Sequence, residues 1–324
     1  MLNRRTLLRN ALPASTLSAA AVLAGTRFQA NASESSKDVS SPSSPPHGQF
    51  REPARDIPVC DDADVIVCGG GPAGVSAAVS AARAGARVRL FEMHGSLGGV
   101  WTSGLLTYIF DFDKSALGNE IIERLDRYDA RRCKSTRNFV YEPELMKLVC
   151  EEMATESKVR FQLHTPVVAA YRDPSGRNIE TIVTESKSGR QAWQAPVFID
   201  TTGDGDLAAR AGCGFDMGSG PEGFGQPATL NALAVVRDAS QMQKYISNDP
   251  EMWAPGGHGD SYRNFLAEIK RTGLEPSYYH PTLFKVHDNL LMIMINHEYK
   301  VRADDAAAVS AATVRARSEI LRIV

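Results

Sequence analysis

A glycine-rich hexapeptide is the segment of this chain whose residue types and spacing point most directly to chemistry. Gly69-Gly70-Gly71-Pro72-Ala73-Gly74 has the pattern G-x-G-x-x-G and lies between a short apolar run and a run of small residues. A strand, a tight turn and a helix are therefore expected in that order. Gly69 would permit the turn, Gly71 would let a pyrophosphate approach the backbone, and Gly74 would let helix and strand pack closely. The free N–H groups of the helix N-terminus would hold the phosphates.

An acidic residue at the expected distance supports this interpretation. Residues 87–92 are predicted to form a second strand, and Glu92 ends it, 18 residues after Gly74. A carboxylate there can accept hydrogen bonds from the hydroxyl groups of an adenosine ribose. The glycine pattern recurs at 218–223, but no strand is predicted before that copy and no helix after it, so it is interpreted as a loop. The first copy therefore predicts a nucleotide site.

Two further motifs indicate which dinucleotide is bound. A second glycine pair, Gly98-Gly99, follows the acidic strand end, and an apolar run at 197–200 leads into Thr201-Thr202-Gly203-Asp204. Together with the hexapeptide, these segments resemble the FAD-binding proteins of the glutathione-reductase-like type, whereas simple NAD-binding Rossmann domains lack both additions. The chain is similar to a broad family of FAD-dependent oxidoreductases, many of which are exported bacterial proteins. The cofactor that the resemblance implies is FAD.

The resemblance also implies further cofactor contacts. They are Gly98, Gly99, Thr102, Val167, Gly203 and Asp204. The loop with the second glycine pair would run beside the pyrophosphate toward the flavin, and Val167 would contact adenine through its backbone. Asp206 is instead predicted to be the N-cap of a helix at 207–211, so Asp204 is the better candidate for a position near the cofactor.

The predicted fold is α/β, with a Rossmann-like FAD-binding domain (a parallel sheet plus a β-meander) and a second α+β substrate domain. The FAD-binding domain is expected over residues 61–110 and 140–215, with a helical insertion at 111–139, the substrate domain at 216–303 and a final helix at 304–324. Strands are expected at 64–68, 87–92, 159–163, 167–171, 179–184, 192–199, 230–236 and 290–295, and helices at 72–84, 117–132 and 142–156.

The chemistry expected at the flavin is oxidation or reduction of a small molecule. Disulfide reductases of this fold carry a cysteine pair shortly after the second glycine pair, but residues 100–106 contain no cysteine. A second glycine-rich unit for NADPH is not predicted either. The five cysteines have no C-x-x-C spacing, and no metal site is predicted. We therefore expect a hydride to pass between FAD N5 and a small polar organic substrate such as a sugar, an alcohol or an amine.

A proton-transferring residue is expected beside the flavin, and seven histidines are available. His297 is the first candidate because it follows the apolar strand predicted at 290–295, and such strands line the substrate face of the flavin in the proteins that the chain resembles. His280 is the second candidate. A structural histidine with satisfied hydrogen bonds is the simpler interpretation of each.

The first 32 residues resemble an export signal. Arg4-Arg5 is followed by a mildly apolar run at 11–25, and Ala30-Asn31-Ala32 matches a small-x-small cleavage pattern. The apolar run is too short for a membrane anchor, since spanning a bilayer takes about 20 apolar residues. Export by the twin-arginine machinery into the periplasm or beyond is expected, with the general secretory route as the alternative. The Ser/Pro-rich residues 33–60 are predicted to form a disordered linker.

The net charge gives no reason to expect nucleic acid or an anionic membrane as a partner. It is −2 for the whole chain and −6 without the first 32 residues, which contain four arginines and no acid. The expected partners are a small-molecule substrate, an electron acceptor of unknown identity and the export machinery.

Two other functions remain open. Proteins of the type that the chain resembles close the FAD site with a third segment, a Gly-Asp after a strand near the C-terminus, and none is predicted after Gly214. The predicted final helix also ends on the apolar residues Ile323 and Val324. We therefore expect a chain truncated relative to a working family member, so a FAD-binding fragment or subunit without turnover is one alternative. An NAD(P)-binding Rossmann protein is the other.

Overall fold

The computed structural model describes residues 48, 50–109, 116–132, 138–219, 222–247 and 260–324. The predicted export signal, residues 33–47 of the predicted linker and parts of the predicted insertion at 111–139 lie outside these residues. The strands are β1 (Val59–Cys60), β2 (Val65–Cys68), β3 (Val88–Phe91), β4 (Tyr108–Ile109), β5 (Arg131–Arg132), β6 (Phe139–Tyr141), β7 (Arg160–Gln162), β8 (Val167–Arg172), β9 (Ile179–Ser186), β10 (Gly189–Gln194), β11 (Val197–Asp200), β12 (Ala232–Val235), β13 (Thr282–His287) and β14 (Leu290–Met294). The helices are α1 (Pro72–Arg83), α2 (Ala116–Arg127), α3 (Pro143–Glu156), α4 (Asp206–Arg210), α5 (Ser261–Arg271) and α6 (Ala306–Ile323), and 3-10 turns cover Gly99–Trp101 and Ala239–Tyr245.

A four-stranded parallel sheet carries the first glycine motif, with strand order β11-β2-β3-β7. Strand β2 is apolar, and Cys68 at its end is fully buried. Burial raises the pKa of the Cys68 thiol to about 12, so this cysteine acts as a small apolar side chain. Helix α1 packs against Val67 of β2, in a core separate from that of Cys68, with Val75, Ala78 and Val79, which share one face of the helix. The predicted α/β fold is confirmed.

The predicted antiparallel meander consists of β8, β9 and β10, and β1 pairs in parallel with β10. The prediction of a disordered linker is therefore wrong at Val59 and Cys60, because the outer edge of β10 accepts these two residues as a strand. The single strand predicted at 192–199 is in fact two strands. Pro196 lies at the break, since its ring removes a backbone donor. The residues before it join the meander and those after it join the parallel sheet.

The helix predicted at 117–132 ends earlier than expected. Helix α2 stops at Arg127, Asp129 adopts a positive φ of 51°, and Arg131–Arg132 pair with β6 as strand β5. The Arg131 guanidinium is buried and lies 2.6 Å from Asp126 Oδ2. Pairing with the nearby strand β6 thus outweighs continuation of the helix.

The segment after residue 230 builds a three-stranded antiparallel sheet, ordered β12-β14-β13. Strands β12 and β14 agree with the prediction, whereas β13 and α5 are absent from it. Phe284, Val286 and Met292 of this sheet pack on Val140 of the small sheet β4-β6-β5. Helix α6 agrees with the predicted final helix, and the Asp305 carboxylate caps its N-terminus. Among the described helices, none is both long enough and apolar enough to cross a bilayer.

Candidate active site

The two predicted glycine loops lie directly against each other. The Gly98 N–H donates to Gly70 O at 2.8 Å, and a Cβ added at Gly99 would lie 2.9 Å from Gly71 Cα. Gly98 and Gly99 have positive φ angles of 100° and 50°, which glycine adopts without steric strain. The loop after β3 is thereby fixed against the turn after β2.

The glycines of the hexapeptide have two different roles. A Cβ at Gly74 would lie 1.8 Å from Gly69 O, and one at Gly69 would lie 2.2 Å from Thr201 O, so both positions need glycine for packing. A Cβ at Gly71, by contrast, would meet nothing within 4 Å. Gly71 is also the N-cap of α1, and no side chain caps that end. The helix therefore presents its N-terminal N–H groups to open space, as an anion-binding helix does.

Glu92 is buried, with 5% of its surface exposed, and both of its carboxylate oxygens accept backbone hydrogen bonds. Oε2 accepts from the Gly70 N–H at 2.6 Å, and Oε1 accepts from the His94 N–H at 2.7 Å. These bonds tie the turn after β2 to the end of β3. The bond from Glu92 to a ribose hydroxyl remains a prediction, and each carboxylate oxygen keeps a lone pair for it.

Thr102 and Tyr141 hold the loop that follows the second glycine pair. Thr102 is fully buried, and its hydroxyl donates to Leu97 O at 2.7 Å. The Tyr141 hydroxyl lies 2.9 Å from Trp101 O and 2.5 Å from Leu106 O. Burial raises the pKa of Tyr141 well above its usual value, so this hydroxyl stays a donor. The backbone of Thr102 also bonds within this loop, since its N–H donates to Gly99 O and its C=O accepts from the Leu105 N–H, both at 3.1 Å. The contact of Thr102 with the cofactor remains a prediction.

Val167 is held near the end of β3. The Thr165 N–H donates to Glu92 O at 2.8 Å, and the His164 N–H donates to His94 O at 3.1 Å. Val167 itself is buried at the start of β8. These bonds bring the residue predicted to contact adenine close to the residue predicted to bind ribose, which is the arrangement that both predictions require.

Asp200 and Thr202 organise the segment after β11. Asp200 Oδ1 accepts from the Thr202 hydroxyl at 2.7 Å, and Asp200 Oδ2 accepts from the Ala208 N–H at 2.8 Å. Thr202 Oγ1 accepts from the Asp206 N–H at 2.7 Å. The prediction of Asp206 as an N-cap is wrong. Asp206 is the first residue of α4 and pairs with Arg210 at 2.7 Å, because Asp200 and Thr202 already satisfy N–H groups at that helix end.

Gly203 and Asp204 are exposed at the tip of the same segment. A Cβ at Gly203 would meet nothing within 4 Å, although the φ of 91° favours glycine there. The segment is anchored by Thr201, whose hydroxyl lies 2.9 Å from Cys68 O and 2.8 Å from Gly69 O. The structure thus brings the Thr-Gly-Asp segment to the glycine turn, as the order of the motifs predicts.

The antiparallel sheet β12-β14-β13 meets the loop after the second glycine pair at one end. Asn231 Nδ2 donates to Gly104 O at 3.0 Å. The fully buried Asn296 accepts from the Leu230 N–H at 3.0 Å and donates to Leu230 O at 2.8 Å. Within the described part of the chain, two buried oxygens near this junction, Asn231 Oδ1 and Thr107 Oγ1, have no hydrogen-bond partner. These two oxygens can therefore form hydrogen bonds with a bound ligand.

His297 and His280 lie in one aromatic cluster beside this junction. The His297 ring stacks on Tyr278 with centroids 3.9 Å apart, and its Nδ1 lies 3.4 Å from the Tyr299 hydroxyl. Burial lowers the pKa of His297 below its usual value. The ring of His280 is packed among the tyrosines Tyr262, Tyr278 and Tyr279. These contacts favour the structural interpretation of His280.

A cavity of about 740 Å³ lies between the Thr-Gly-Asp segment, residues 215–218 and 223–230, and α6. Of the predicted site residues, Asp204 lines it. Neither predicted histidine is among the described lining residues, but Glu298, which directly follows His297, is. The volume is that of a small-molecule site. The described lining of the cavity therefore includes one predicted cofactor residue, Asp204, and no residue of the two glycine loops.

The family model for FAD dependent oxidoreductases matches residues 64–324. The chain belongs to this family. FAD is accordingly its cofactor, and the matched region includes every segment of the site described above. No curated protein matches the chain.

Solved structures resemble this flavoprotein at low identity. Thermovibrio ammonificans THI4 is 18% identical, with a TM-score of 0.37 over 48% of this chain and 65% of its own. A geranylgeranyl bacteriochlorophyll reductase-like protein (Ta0516) from Thermoplasma acidophilum is 13% identical, with a TM-score of 0.49 over 80% and 62%. L-proline dehydrogenase from P. horikoshii is 12% identical, with a TM-score of 0.46 over 80% and 77%. The chain thus spans less than two thirds of the first two structures, and the likeness concerns the fold alone.

The residues of the site fit FAD. Backbone positions at Gly71 and Gly203 face open space where a ligand can approach, while Gly69 and Gly74 admit no side chain. The unused oxygens of Asn231 and Thr107 lie near the loop that would run to the flavin. The individual contacts between these residues and FAD remain predictions.

Three residues that organise the site were not assigned a role from the sequence, namely Gly70, Asp200 and Thr201. A Cβ at Gly70 would lie 2.7 Å from Leu97 Cδ2 and 3.0 Å from Glu92 Oε2. An acidic residue directly after an apolar run, followed by Thr-Thr-Gly, is a signal for a capped turn that could have identified Asp200. The packing at Gly70 depends on residues more than twenty positions away and has no comparable local signal.

Proposed function

We propose that this flavoprotein transfers a hydride between a small polar organic substrate and FAD N5. The observation that carries the proposal is the contact of the two glycine loops beside the open N-terminus of α1. A cavity of about 740 Å³, lined in part by Asp204, lies near this cofactor site. Ligands of open α/β sheets bind outside the carboxyl ends of the strands, and Asp204 follows the carboxyl end of β11. When bound, FAD supplies the two-electron chemistry of the reaction.

The side chains and backbone of the site would bind and orient the cofactor in the glutathione-reductase-like manner. The N-terminus of α1 would hold the pyrophosphate, because its N–H groups and dipole favour negative charge. Glu92 would accept from the ribose while its bonds to the two loops keep the turn in shape. Thr102 and Tyr141 would hold the loop beside the flavin. A site ordered before binding loses less entropy when the ligand arrives.

His297 is proposed to accept the proton that leaves the substrate. Its backbone follows the buried Asn296, which is bonded to Leu230 beside the cofactor junction. The Tyr299 hydroxyl lies near Nδ1, so Nε2 is the nitrogen proposed to exchange the proton. Because burial lowers the pKa of His297, the ring is neutral at physiological pH and can act as a base.

Replacing His297 with glutamine is expected to lower the rate of substrate oxidation by about 10²–10⁴-fold, the usual contribution of general base catalysis. With the pKa of His297 lowered, the wild-type kcat/KM should fall only below about pH 6.5, and this acidic limb should vanish in the variant. The measurement is anaerobic loss of flavin absorbance on mixing with sugars, alcohols and amines. His287→Gln, at the end of β13, is the control.

Two results would contradict these proposals separately. An acidic limb that persists in His297→Gln would assign the proton acceptor to another group. Failure of the whole substrate panel to reduce the flavin, in protein that carries stoichiometric FAD, would contradict the proposed turnover and favour a binding subunit.

We also propose that the protein is exported by the twin-arginine route to the periplasm. The support is Arg4-Arg5, the apolar run at 11–25 and the cleavage pattern Ala30-Asn31-Ala32, all outside the described residues. The route carries folded proteins, which suits a protein that acquires FAD before export.

Replacing both Arg4 and Arg5 with lysine is expected to keep the protein in the cytoplasm with an uncleaved signal. The twin-arginine signal is read by a receptor rather than by charge alone, so conservation of charge should not rescue export. Cell fractionation with immunoblotting measures the periplasmic share and the size of the chain. Arg27→Lys, outside the pair, should export normally. Normal export of the Arg4→Lys/Arg5→Lys variant would argue for the general secretory route instead.

A further inference from the structure

One wall of the 740 Å³ cavity is made of small and apolar side chains. Val309, Ala312, Thr313 and Ala316 of α6 line it, and their spacing of three and four places them on one face of that helix. Val301 and Ala303 extend this wall. Short side chains on the helix face leave volume for the apolar part of a ligand.

The charged groups that line the cavity are all acidic. They are Asp204, Asp206, Asp216, Glu298 and Asp304, and the described lining includes no lysine, arginine or histidine. Three of the five are neutralised by arginines, in the pairs Asp206–Arg210, Asp304–Arg302 and Glu298–Arg315. Asp204 and Asp216 are exposed to the solvent, and no ion pair or hydrogen bond of their carboxylates is found among the described residues. The cavity thus combines an apolar wall with two uncompensated negative charges.

We propose that this cavity holds the substrate as an organic ammonium ion, a protonated amine carried on an apolar group. The inference rests on the proposed function and narrows its substrate class from sugars, alcohols and amines to amines. An ammonium group can donate charge-assisted hydrogen bonds to Asp204 and Asp216, whereas a hydroxyl group donates weaker ones. A carboxylate substrate would be repelled by the same two groups. Asp204 places this charge at the carboxyl end of β11, beside the predicted cofactor residues.

The test compares three probes of one shape and different charge, benzylamine, benzyl alcohol and benzoate, by calorimetric titration of the FAD-loaded protein at neutral pH. Benzylamine is expected to bind at least about tenfold more tightly than benzyl alcohol, the effect of a hydrogen bond to a charged group, and benzoate is expected to bind more weakly than both. The preference for benzylamine should shrink as salt is raised, because the carboxylates are exposed.

Two variants assign the preference to the cavity. Asp216→Asn should lower benzylamine affinity roughly threefold without changing benzyl alcohol affinity, and Asp204→Asn/Asp216→Asn should remove the whole preference. Asp288→Asn is the matched control, since Asp288 is an exposed carboxylate outside the cavity. Thr313→Phe, which fills the space beside the α6 wall, should weaken both probes while FAD content stays constant.

Equal affinity for benzylamine and benzyl alcohol, absence of benzylamine binding, or a preference that survives the double variant would overturn the proposal. Flavin content and flavin reduction are followed in every sample. A protein that retains FAD and is reduced by an alcohol or a sugar, but shows no ammonium preference, would refute this inference alone. Loss of flavin reduction by all substrates in the unmodified protein would instead refute the proposed function.

Discussion

Replacing Gly71 with valine is expected to abolish FAD binding while the protein still folds. A Cβ at Gly71 meets no protein atom within 4 Å, and its φ of −68° suits any residue, so the fold should tolerate the side chain. The same side chain would occupy the space through which a pyrophosphate reaches the N-terminus of α1. We expect at least about 100-fold weaker binding, or roughly 2.8 kcal/mol. The flavin-to-protein absorbance ratio after gel filtration measures it.

Gly214→Val is the matched control for this substitution. Gly214 also has open space around its Cβ position but lies outside both glycine loops. That variant should retain FAD, and both variants should show the circular dichroism spectrum of the unmodified protein. Purification of Gly71→Val with its full complement of flavin would show that the pyrophosphate lies elsewhere.

Replacing Glu92 with alanine is expected to weaken FAD binding and also to destabilise the protein without FAD. The carboxylate accepts from the N–H groups of Gly70 and His94, and both bonds are lost with it. A buried N–H left without an acceptor costs about 1–3 kcal/mol, and a lost charge-assisted bond to ribose weakens the FAD complex by about 1.5–3 kcal/mol more. Thermal unfolding with and without FAD, together with flavin titration, separates the two effects.

The glutamine variant distinguishes the two roles of Glu92. In Glu92→Gln the amide oxygen can replace one carboxylate oxygen, but the amide nitrogen would face an N–H donor. The FAD-free protein should therefore also be destabilised by Glu92→Gln, though less than by alanine. Glu180→Ala, an exposed change on β9, should alter neither quantity. An unchanged melting temperature of FAD-free Glu92→Ala would show that the two loop bonds contribute little.

The elements that carry the glycine motif could be predicted because their signals are local. Strand β2, helix α1 and strand β3 agree with expectation, since apolar runs, helical spacing and glycine turns act within a few residues. The predictions failed where the pairing partner of a segment decides its structure. Arg131–Arg132 form a strand because β6, eight to ten residues further along the chain, pairs with them, and Val59–Cys60 do so because β10 has a free edge.

The α/β class, the FAD motif and the order of its three segments follow from the amino-acid sequence alone, because each depends on residue types at short spacing. How those segments meet is visible in the folded protein and not in the sequence. The tertiary structure places Gly98 on Gly70, and it turns the Glu92 carboxylate to two backbone N–H groups. It also lets Asp200 and Thr202, rather than Asp206, accept from N–H groups at the start of α4. It also encloses the cavity between Asp204 and α6, about a hundred residues apart. Such contacts follow from how sheets and helices pack, and no periodicity along the chain encodes which distant residues will face one another.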